Sequence, residues 1–405
     1  MQVLVLNSGS SSIKYRLFDD SLTLLASGLV ERIGEASGRA VHRRHDEGGP
    51  AELVEQAAFD DHAAGFRSLI AALEQGGLGE ELGAIGHRVV HGGEEFVAPS
   101  LIDDEVVARI RAQVPLAPLH NPANLTGIEV AASLRPELPQ VAVFDTAFHG
   151  TLPARAYRYA LPTELYREHG VRRYGFHGTS HAFVARRAAA HLGRSLGELD
   201  LITLHLGNGA SATAISGGRS IDTSMGLTPL EGLVMGTRCG DVDPAVLLHL
   251  HRQAGYDLDE IDRLLNRSSG LLGLCGENDL REIDRRARAG DADAELALDV
   301  YTYRIRKYLG AYTAALGGLD AVVFTAGVGE NQPGVRARVC DDLEVLGIRL
   351  DASSNASADV GAAPDGVVAV HAADARVAVL VVATDEEREI AEQTLQALGG
   401  TVSRP

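Results

Sequence analysis

The feature that most restricts how this chain can fold is a pattern that occurs twice. At the start, VLVLNSGSSSIKYRLF passes from the apolar residues 3–6 through Asn7-Ser8-Gly9-Ser10-Ser11-Ser12 to Ile13, Tyr15 and Leu17, which alternate with Lys14 and Arg16. Alternation of period two marks a half-buried strand, so the opening reads as strand, polar loop, strand. The same order returns in LDLITLHLGNGASATAISGG, with an apolar strand over 199–206, a tight Gly207-Asn208-Gly209 turn, and Ala212 to Ile215 before Gly217-Gly218. Two copies imply an internal duplication. A third apolar strand, 319–325, leads into the glycine-rich Ala326-Gly327-Val328-Gly329-Glu330-Asn331, after which Pro333 opens a helix through Cys340.

Between these units, Leu298, Tyr301, Ile305, Leu309, Tyr312 and Leu316 recur at three- and four-residue spacing and predict a long helix stopped by Gly317-Gly318, its stripe turned to the core. Residues 224–244, punctuated by Gly and Pro, form a loop of about twenty residues, a length that in compact domains usually serves function. Pro115, Pro118 and Pro122 punctuate another irregular stretch around His120. Strands alternating with helices give an α/β architecture, and a strand–loop–strand unit opening each half gives two similar lobes facing a cleft. The boundaries read as a first lobe over 1–150 and a second over 151–385, with a last segment 386–405, helical to 398, returning to the first.

A chain of 405 residues exceeds one ordinary core and suits two domains. Its longest apolar runs, such as 377–383, fall far short of the roughly 18 residues of a membrane helix. The first apolar stretch is too short for a signal peptide and lacks a basic flank. Cys239, Cys275 and Cys340 are scattered and odd in number, which fits neither a disulfide framework nor a zinc site. The expectation is a reduced, cytoplasmic protein without a membrane partner. With 55 acidic against 37 basic residues, the net charge of -18 opposes binding to a phosphate backbone, so nucleic acid is not an expected partner.

Glycine lets backbone N–H groups approach a ligand, serine hydroxyls add donors, and a nearby lysine completes an anion cradle. Taken alone, the opening run reads first as an ordinary polar hairpin turn and only second as such a cradle. Three glycine-rich loops, each directly after an apolar strand, favour the cradle. A Walker A loop is excluded, because neither the glycine–lysine spacing nor a following helix is present in the opening run.

The segments NSGSSSIKY, GHRVVHGG, VFDTAFHGTLP, RRYGFHGTSH, LGNGAS, DTSMGLTPLEGLVMGTRCGDVDP and TAGVGEN, with TDEE near the end, resemble in order the motif series of acetate kinases. The resemblance spans essentially the whole chain, and residues 222–244 are its most specific part. It implies duplicated ribonuclease-H-like, actin-like ATPase lobes with a central interdomain cleft closing over ATP. It also implies reversible transfer of the ATP γ-phosphoryl group to acetate, giving acetyl phosphate and ADP, with Mg²⁺ (or Mn²⁺ in its place) and a homodimer.

Carried over residue by residue, the resemblance makes Arg88 and Arg238 the substrate and transition-state arginines, His177 the histidine on the transferring phosphoryl group, and Asp145 the catalytic aspartate. Acetate is already ionised near neutral pH, so it needs no base. Asp145 is therefore expected to orient Arg88 or to hold metal-bound water. Asn7 and Glu386 take the metal positions, within a Thr384-Asp385-Glu386-Glu387 run whose extra carboxylate Asp385 either tightens the metal or is solvated. Lys14, His205, Leu206, Gly207, Asn208 and Gly209 fall on the phosphate side of the nucleotide. Asp279, Leu280 and Arg281 fall with Gly327, Val328, Gly329, Glu330 and Asn331 on its adenosine side. Val90, Leu119, Phe176 and Pro229 match a small apolar pocket, with His120 close by. One methylene is worth only about 1–3 kcal/mol in such a pocket, so propionate is expected as a poorer substrate and a propionate kinase as the nearest alternative. A nucleotide-gated actin-like binding or filament protein would keep the phosphate loops without an acyl pocket, and a sugar kinase would need a polar pocket.

Overall fold

The computed structural model describes residues 1–45 and 51–399. The chain divides into two units, the first comprising residues 1–147 and the segment from 385 onward, the second comprising 148–384.

The first unit holds β1 (Gln2–Gly9), β2 (Ser12–Phe18), β3 (Leu24–Glu31), β4 (Gly38–Arg44), β5 (Ala51–Ala57), β6 (Leu82–Val89), β7 (Ser100–Leu101) and β8 (Gln140–Phe144), in the order β5-β4-β3-β2-β1-β6-β8-β7. The second holds β9 (Asp200–Leu206), β10 (Ala210–Ser216), β11 (Arg219–Thr223), β12 (Ala321–Thr325), β13 (Val367–Ala369) and β14 (Ala378–Val382), in the order β11-β10-β9-β12-β14-β13. Both sheets share one plan. Three antiparallel strands lie side by side, two further strands run parallel to the first of them, and an antiparallel strand covers the edge; in the first sheet β4 and β5 extend the antiparallel side by two strands. This is the ribonuclease-H-like order, present twice, and the duplication read from the sequence is that repeat.

Alternation along β1 explains its central place. Leu4 and Leu6 pack with Phe66 and Leu69 of the helix His62–Gln75, while Val3 and Val5 pack with Ile390 and Leu395 of the helix Glu386–Ala397. Gly86 in β6 permits that second contact, since a Cβ there would lie 2.4 Å from Thr394 Oγ1. Residues 400–405 of the expected return segment lie outside the described residues. In the second unit β12 and β14 are apolar and buried on both faces, as parallel strands flanked by helices are. The helix Gly178–His191 covers one face through Val184 and Ala188. The helix Ala292–Leu316 packs on β9 and β10, buries Leu298, Tyr301, Ile305, Leu309 and Tyr312, and ends at Gly317 with φ +78°, a left-handed cap that glycine adopts without strain.

Two readings of the sequence are corrected. The run after residue 6 is mostly strand: Asn7, Ser8 and Gly9 pair with Lys14, Ile13 and Ser12, leaving only Ser10 and Ser11 as the turn. The Ala326–Asn331 stretch is a short helix rather than a loop. Its glycines are tolerated because Glu330 Oε1 accepts from the Ala326 N–H at 2.9 Å and Asn331 Nδ2 donates to the Gly327 carbonyl at 3.0 Å. Residues 224–244 do form an irregular loop, fastened by Arg173, which donates to the carbonyls of Thr223, Ser224 and Met225 and pairs with Glu231. Among the described residues, no helix is long and apolar enough to cross a membrane.

Candidate functional site

In both sheets one group of candidate residues collects at the carboxyl ends of parallel strands, Arg88 and Asp145 in the first and 205–209 and 326–331 in the second, where open α/β sheets carry their ligands. Arg88 lies near the end of β6 and Asp145 directly follows β8, their strands held in register by the Asp145 N–H donating to the Val89 carbonyl at 3.0 Å.

Arg88 Nε and Nη2 donate to the two Asp145 carboxylate oxygens at 3.0 and 2.7 Å. Glu386, at the start of the terminal helix, stands 4.0 Å from Arg88 Nε. Burial pushes the Asp145 carboxyl above its ordinary value against the pull of Arg88, and the same carboxylates hold the Arg88 proton more tightly. A bidentate guanidinium keeps the pair ionised at neutral pH. Because Asp145 uses the Nε/Nη2 edge, the Nη1/Nη2 edge of Arg88 is left to receive a second carboxylate.

Buried asparagines hold this segment. Asn121 accepts from the His91 N–H and donates to the His91 carbonyl, and Asn124 accepts from the Val90 N–H and donates to the Ser8 carbonyl. Sequence reading missed both; their signal was the NPANL that opens the helix Asn121–Leu134. His120 precedes that helix at its N-cap position without a side-chain capping hydrogen bond, is exposed, and lowers the Asp145 pKa through its charge. Leu119 is exposed and Val90 half-buried.

Lys14 pairs with Glu387 at 2.5 Å, so its ammonium is engaged within the first unit. Asp385 caps the terminal helix by accepting from the Arg388 N–H at 3.0 Å and pairs with Arg16 at 2.9 Å. Aspartate suits that cap because its oxygen satisfies an otherwise unpaired helix donor. Asn7, on β1, and Glu386 offer oxygen donors only.

In the second unit the Gly207-Asn208-Gly209 turn joins β9 to β10, closed by the Gly207 N–H donating to the Gly209 carbonyl at 2.9 Å. A methyl group on Gly209 would sit 2.6 Å from Arg238 Nη2 and 3.4 Å from both Cε1 and Nε2 of His177. The two side chains therefore converge on the face of this turn that glycine leaves open. Arg238 donates to the Pro229 carbonyl at 2.5 Å, and burial alone lowers its pKa, with no carboxylate among the described residues compensating it. A half-buried guanidinium so placed calls for an anionic ligand.

His177 opens the helix Gly178–His191 at φ +57°, a left-handed backbone uncommon for a residue other than glycine and often found at functional sites. Its ring stacks on His205 at 4.2 Å. His149 Nε2 donates to the Phe176 carbonyl at 3.0 Å, and burial pulls the His149 pKa down to about 4. Phe176 is itself buried, so its ring belongs to the core.

The nucleotide-side residues divide. Glu330 Oε1 also accepts from the Thr384 N–H at 3.0 Å, so this carboxylate braces its own helix to the strand end. Thr384 and Ser180, which sequence reading missed, continue that brace, with Thr384 Oγ1 2.9 Å from Ser180 Oγ and Ser180 Oγ 2.8 Å from His205 Nδ1. Leu206 is buried, Gly329 within the short helix is buried on the side facing Phe324 and Leu204, and Gly327 and Val328 lie nearer the surface. Asp279 caps the helix Leu280–Arg288 and pairs with Arg281 at 2.6 Å, which holds its carboxyl near 2. Leu280 is 6% exposed and turned inward, so the adenine contact expected of it is not offered by an open side chain.

The family model that matches this chain is that of the Acetokinase family, over residues 2–392. The chain is similar to an acetate kinase of Streptomyces avermitilis, 58% identical over 403 residues that cover 98% of each chain. It is also similar to an acetate kinase of Syntrophobacter fumaroxidans, 55% identical over 404 residues that cover 98% of this chain and 97% of the other. Among solved structures it is similar to an acetate kinase of Porphyromonas gingivalis (45% identity, TM-score 0.92) and to a propionate kinase of Francisella tularensis (40% identity, TM-score 0.91), each comparison covering 98% of this chain and 99% of the other.

Proposed function

Because the chain belongs to the acetokinase family, we propose that it is an acetate kinase, an ATP-dependent phosphotransferase with a carboxylate as acceptor. An acetate oxygen attacks the γ-phosphorus in line, the bond to the β–γ bridging oxygen breaks, and ADP leaves with that electron pair. Phosphoryl transfer asks for positioning and charge rather than covalent help. The observation that carries the reading is the convergence of Arg238 and His177 over Gly209, two donors facing a turn at a strand end.

The geometry of each unit supports the following roles. Arg88 takes the acetate carboxylate on its Nη1/Nη2 edge, and Asp145 fixes that guanidinium rather than removing a proton, since acetate arrives ionised. Arg238 and His177 meet the equatorial phosphoryl oxygens. The Gly207–Gly209 turn receives the phosphates, and the short helix at 326–331, braced by Glu330, supports the nucleoside side. The first unit is thus the acyl-acceptor lobe and the second the nucleotide lobe.

A divalent ion, Mg²⁺ or Mn²⁺, would be held by Asn7 and Glu386. Among the described residues there is no cluster of three His, Cys, Asp or Glu able to enclose a metal, and oxygen donors in so small a number suit an ion that keeps waters and phosphate oxygens as its other ligands. When bound it neutralises charge between the β- and γ-phosphates. We further infer a cytoplasmic homodimer whose net charge of -18 disfavours nucleic acid.

Likeness to a solved propionate kinase keeps that substrate as the second reading. The test is hydroxylamine trapping of acyl phosphate with Mg-ATP and acetate, propionate, butyrate or glycerol, on the native protein and Arg88→Ala. Strong acetate turnover lost in the variant supports the assignment, and kcat/KM for propionate above that for acetate would move it to the second reading. No acyl phosphate from any acid would overturn both.

A further inference from the structure

Behind His177 lies a line of buried polar groups that the reaction as described does not use. His177 Nδ1 is 2.9 Å from Ser211 Oγ, Ser211 Oγ is 2.7 Å from His181 Nε2, and His181 Nδ1 is 2.7 Å from Thr203 Oγ1. Ser211, His181 and Thr203 are fully buried. Burial, with the charges of His149 and His205, drives the His181 pKa well below its ordinary value, so this ring is neutral and carries one proton.

Each hydroxyl carries one proton, and Ser211 Oγ has only the two ring nitrogens as partners among the described residues, so every buried donor is satisfied only if the three hydrogen bonds point the same way along the line. In one direction Thr203 donates to His181 Nδ1, His181 Nε2–H donates to Ser211, and Ser211 donates to His177 Nδ1. The proton of His177 then sits on Nε2, the atom beside the Gly209 face. In the other direction His177 Nδ1–H donates to Ser211, Ser211 to His181 Nε2, and His181 Nδ1–H to Thr203. That leaves the Thr203 hydroxyl proton, buried, with no acceptor among the described residues. A buried donor without an acceptor is costly, so the first direction prevails.

We propose that Thr203, His181 and Ser211 form a one-way relay that sets the tautomer of His177, holding its proton on Nε2 as a donor to the transferring phosphoryl group. The three are positioning residues. The relay rests on the phosphotransferase reading for its purpose, though not for its geometry.

Long-range proton–nitrogen NMR of the full-length protein with ring-¹⁵N histidine, taken without substrate, reads the tautomer directly. The expected native pattern is a proton on Nε2 of both His177 and His181, with bare Nδ1. Thr203→Val removes the asymmetry, since either direction then leaves one His181 Nδ1 site unpaired. Both tautomers of His177 should appear, and kcat should fall about twofold, in proportion to the rings in the wrong form, with KM for acetate and ATP unchanged. Thr203→Ser should restore both readouts. A native His177 ring protonated on Nδ1 would overturn the relay, as would a Thr203→Val protein with native spectrum and native kcat. If Thr203→Val does not fold, the native spectrum decides. A protein that makes no acyl phosphate yet shows the Nε2–H pattern would sink the kinase reading and leave the relay standing.

Discussion

Arg88 and Asp145 face each other across adjacent parallel strands and join through two side-by-side hydrogen bonds, 3.0 and 2.7 Å long. The carboxylate is all but sealed, its side chain 2% exposed, while the guanidinium keeps one edge open. Asp145→Asn preserves the shape and removes the charge that holds this edge in place. The expected outcome is a rise in KM for acetate and a fall in kcat/KM of about 10²-fold, of the size seen when a positioned group is displaced by an ångström, with KM for ATP within twofold. Steady-state kinetics in both substrates checks it. A variant with native KM for acetate and a loss confined to kcat would mean that Asp145 does not act by holding Arg88 for acetate.

Removing the other partner has a pH signature. In Arg88→Ala the Asp145 carboxyl keeps the burial that raises its pKa and loses the guanidinium that lowers it. The unfolded chain gives up this proton near pH 4. A folded state that retains it longer loses stability progressively as pH rises above that value. The variant should therefore be less stable than native by about 3 kcal/mol at pH 8, with the deficit shrinking toward pH 5. Urea unfolding at the two pH values measures this, and a deficit that grows on acidification would refute it.

The repeat in the sequence was readable because a period-two strand, small turn residues and a second strand are all local signals. The two corrections arise where local signals are silent. Small hydrogen-bonding residues such as Asn7, Ser8 and Gly9 serve equally in a loop or at the end of a ladder, and only pairing with Lys14, Ile13 and Ser12 decides. Glycines at 327 and 329 argue for a loop until Glu330 folds back on the Ala326 N–H. The motif residues Arg88, Asp145, His177 and Arg238 could be named from resemblance, yet the groups that hold them could not. Asn121 comes from a helix, Ser211 from a strand and Thr384 from the link after β14, and their contacts follow from register and packing that no local pattern encodes.

Acid should destabilise the chain through histidines buried as neutral rings. Burial lowers His87, which also contacts Gln140 at 2.6 Å, and His149 from 6.5 to about 4. Between those values the unfolded chain binds protons that the folded one refuses, so stability falls as pH drops through 6.5 toward 4. Each ring should remove about 2 kcal/mol on going from pH 7 to pH 5. His87→Asn should reduce the slope of stability against pH in this window without touching catalysis. Thermal unfolding followed at half-unit pH steps tests it, and a slope equal to native would show that His87 does not carry the effect.

Gly209 separates fold from function most cleanly. It lies in the β9–β10 turn without a positive φ, so alanine brings no backbone strain. The new methyl would meet Arg238 Nη2 at 2.6 Å, a distance that cannot stand, and His177 at 3.4 Å, a close contact. Because Nη2 is the far end of a long side chain, the guanidinium swings aside at little cost to stability. Gly209→Ala should therefore melt within about 1 °C of native, a shift that about 1 kcal/mol or less produces in a chain of this size. The displaced guanidinium and the crowded imidazole both leave the place where charge develops during transfer. The loss of one such donor is worth about 10²–10³ in kcat, and KM for acetate should stay native because Arg88 and Asp145 are untouched. A Gly209→Ala protein with native kcat would mean that Arg238 and His177 do not act over this turn, and the observation on which the phosphotransferase reading leans would lose its meaning.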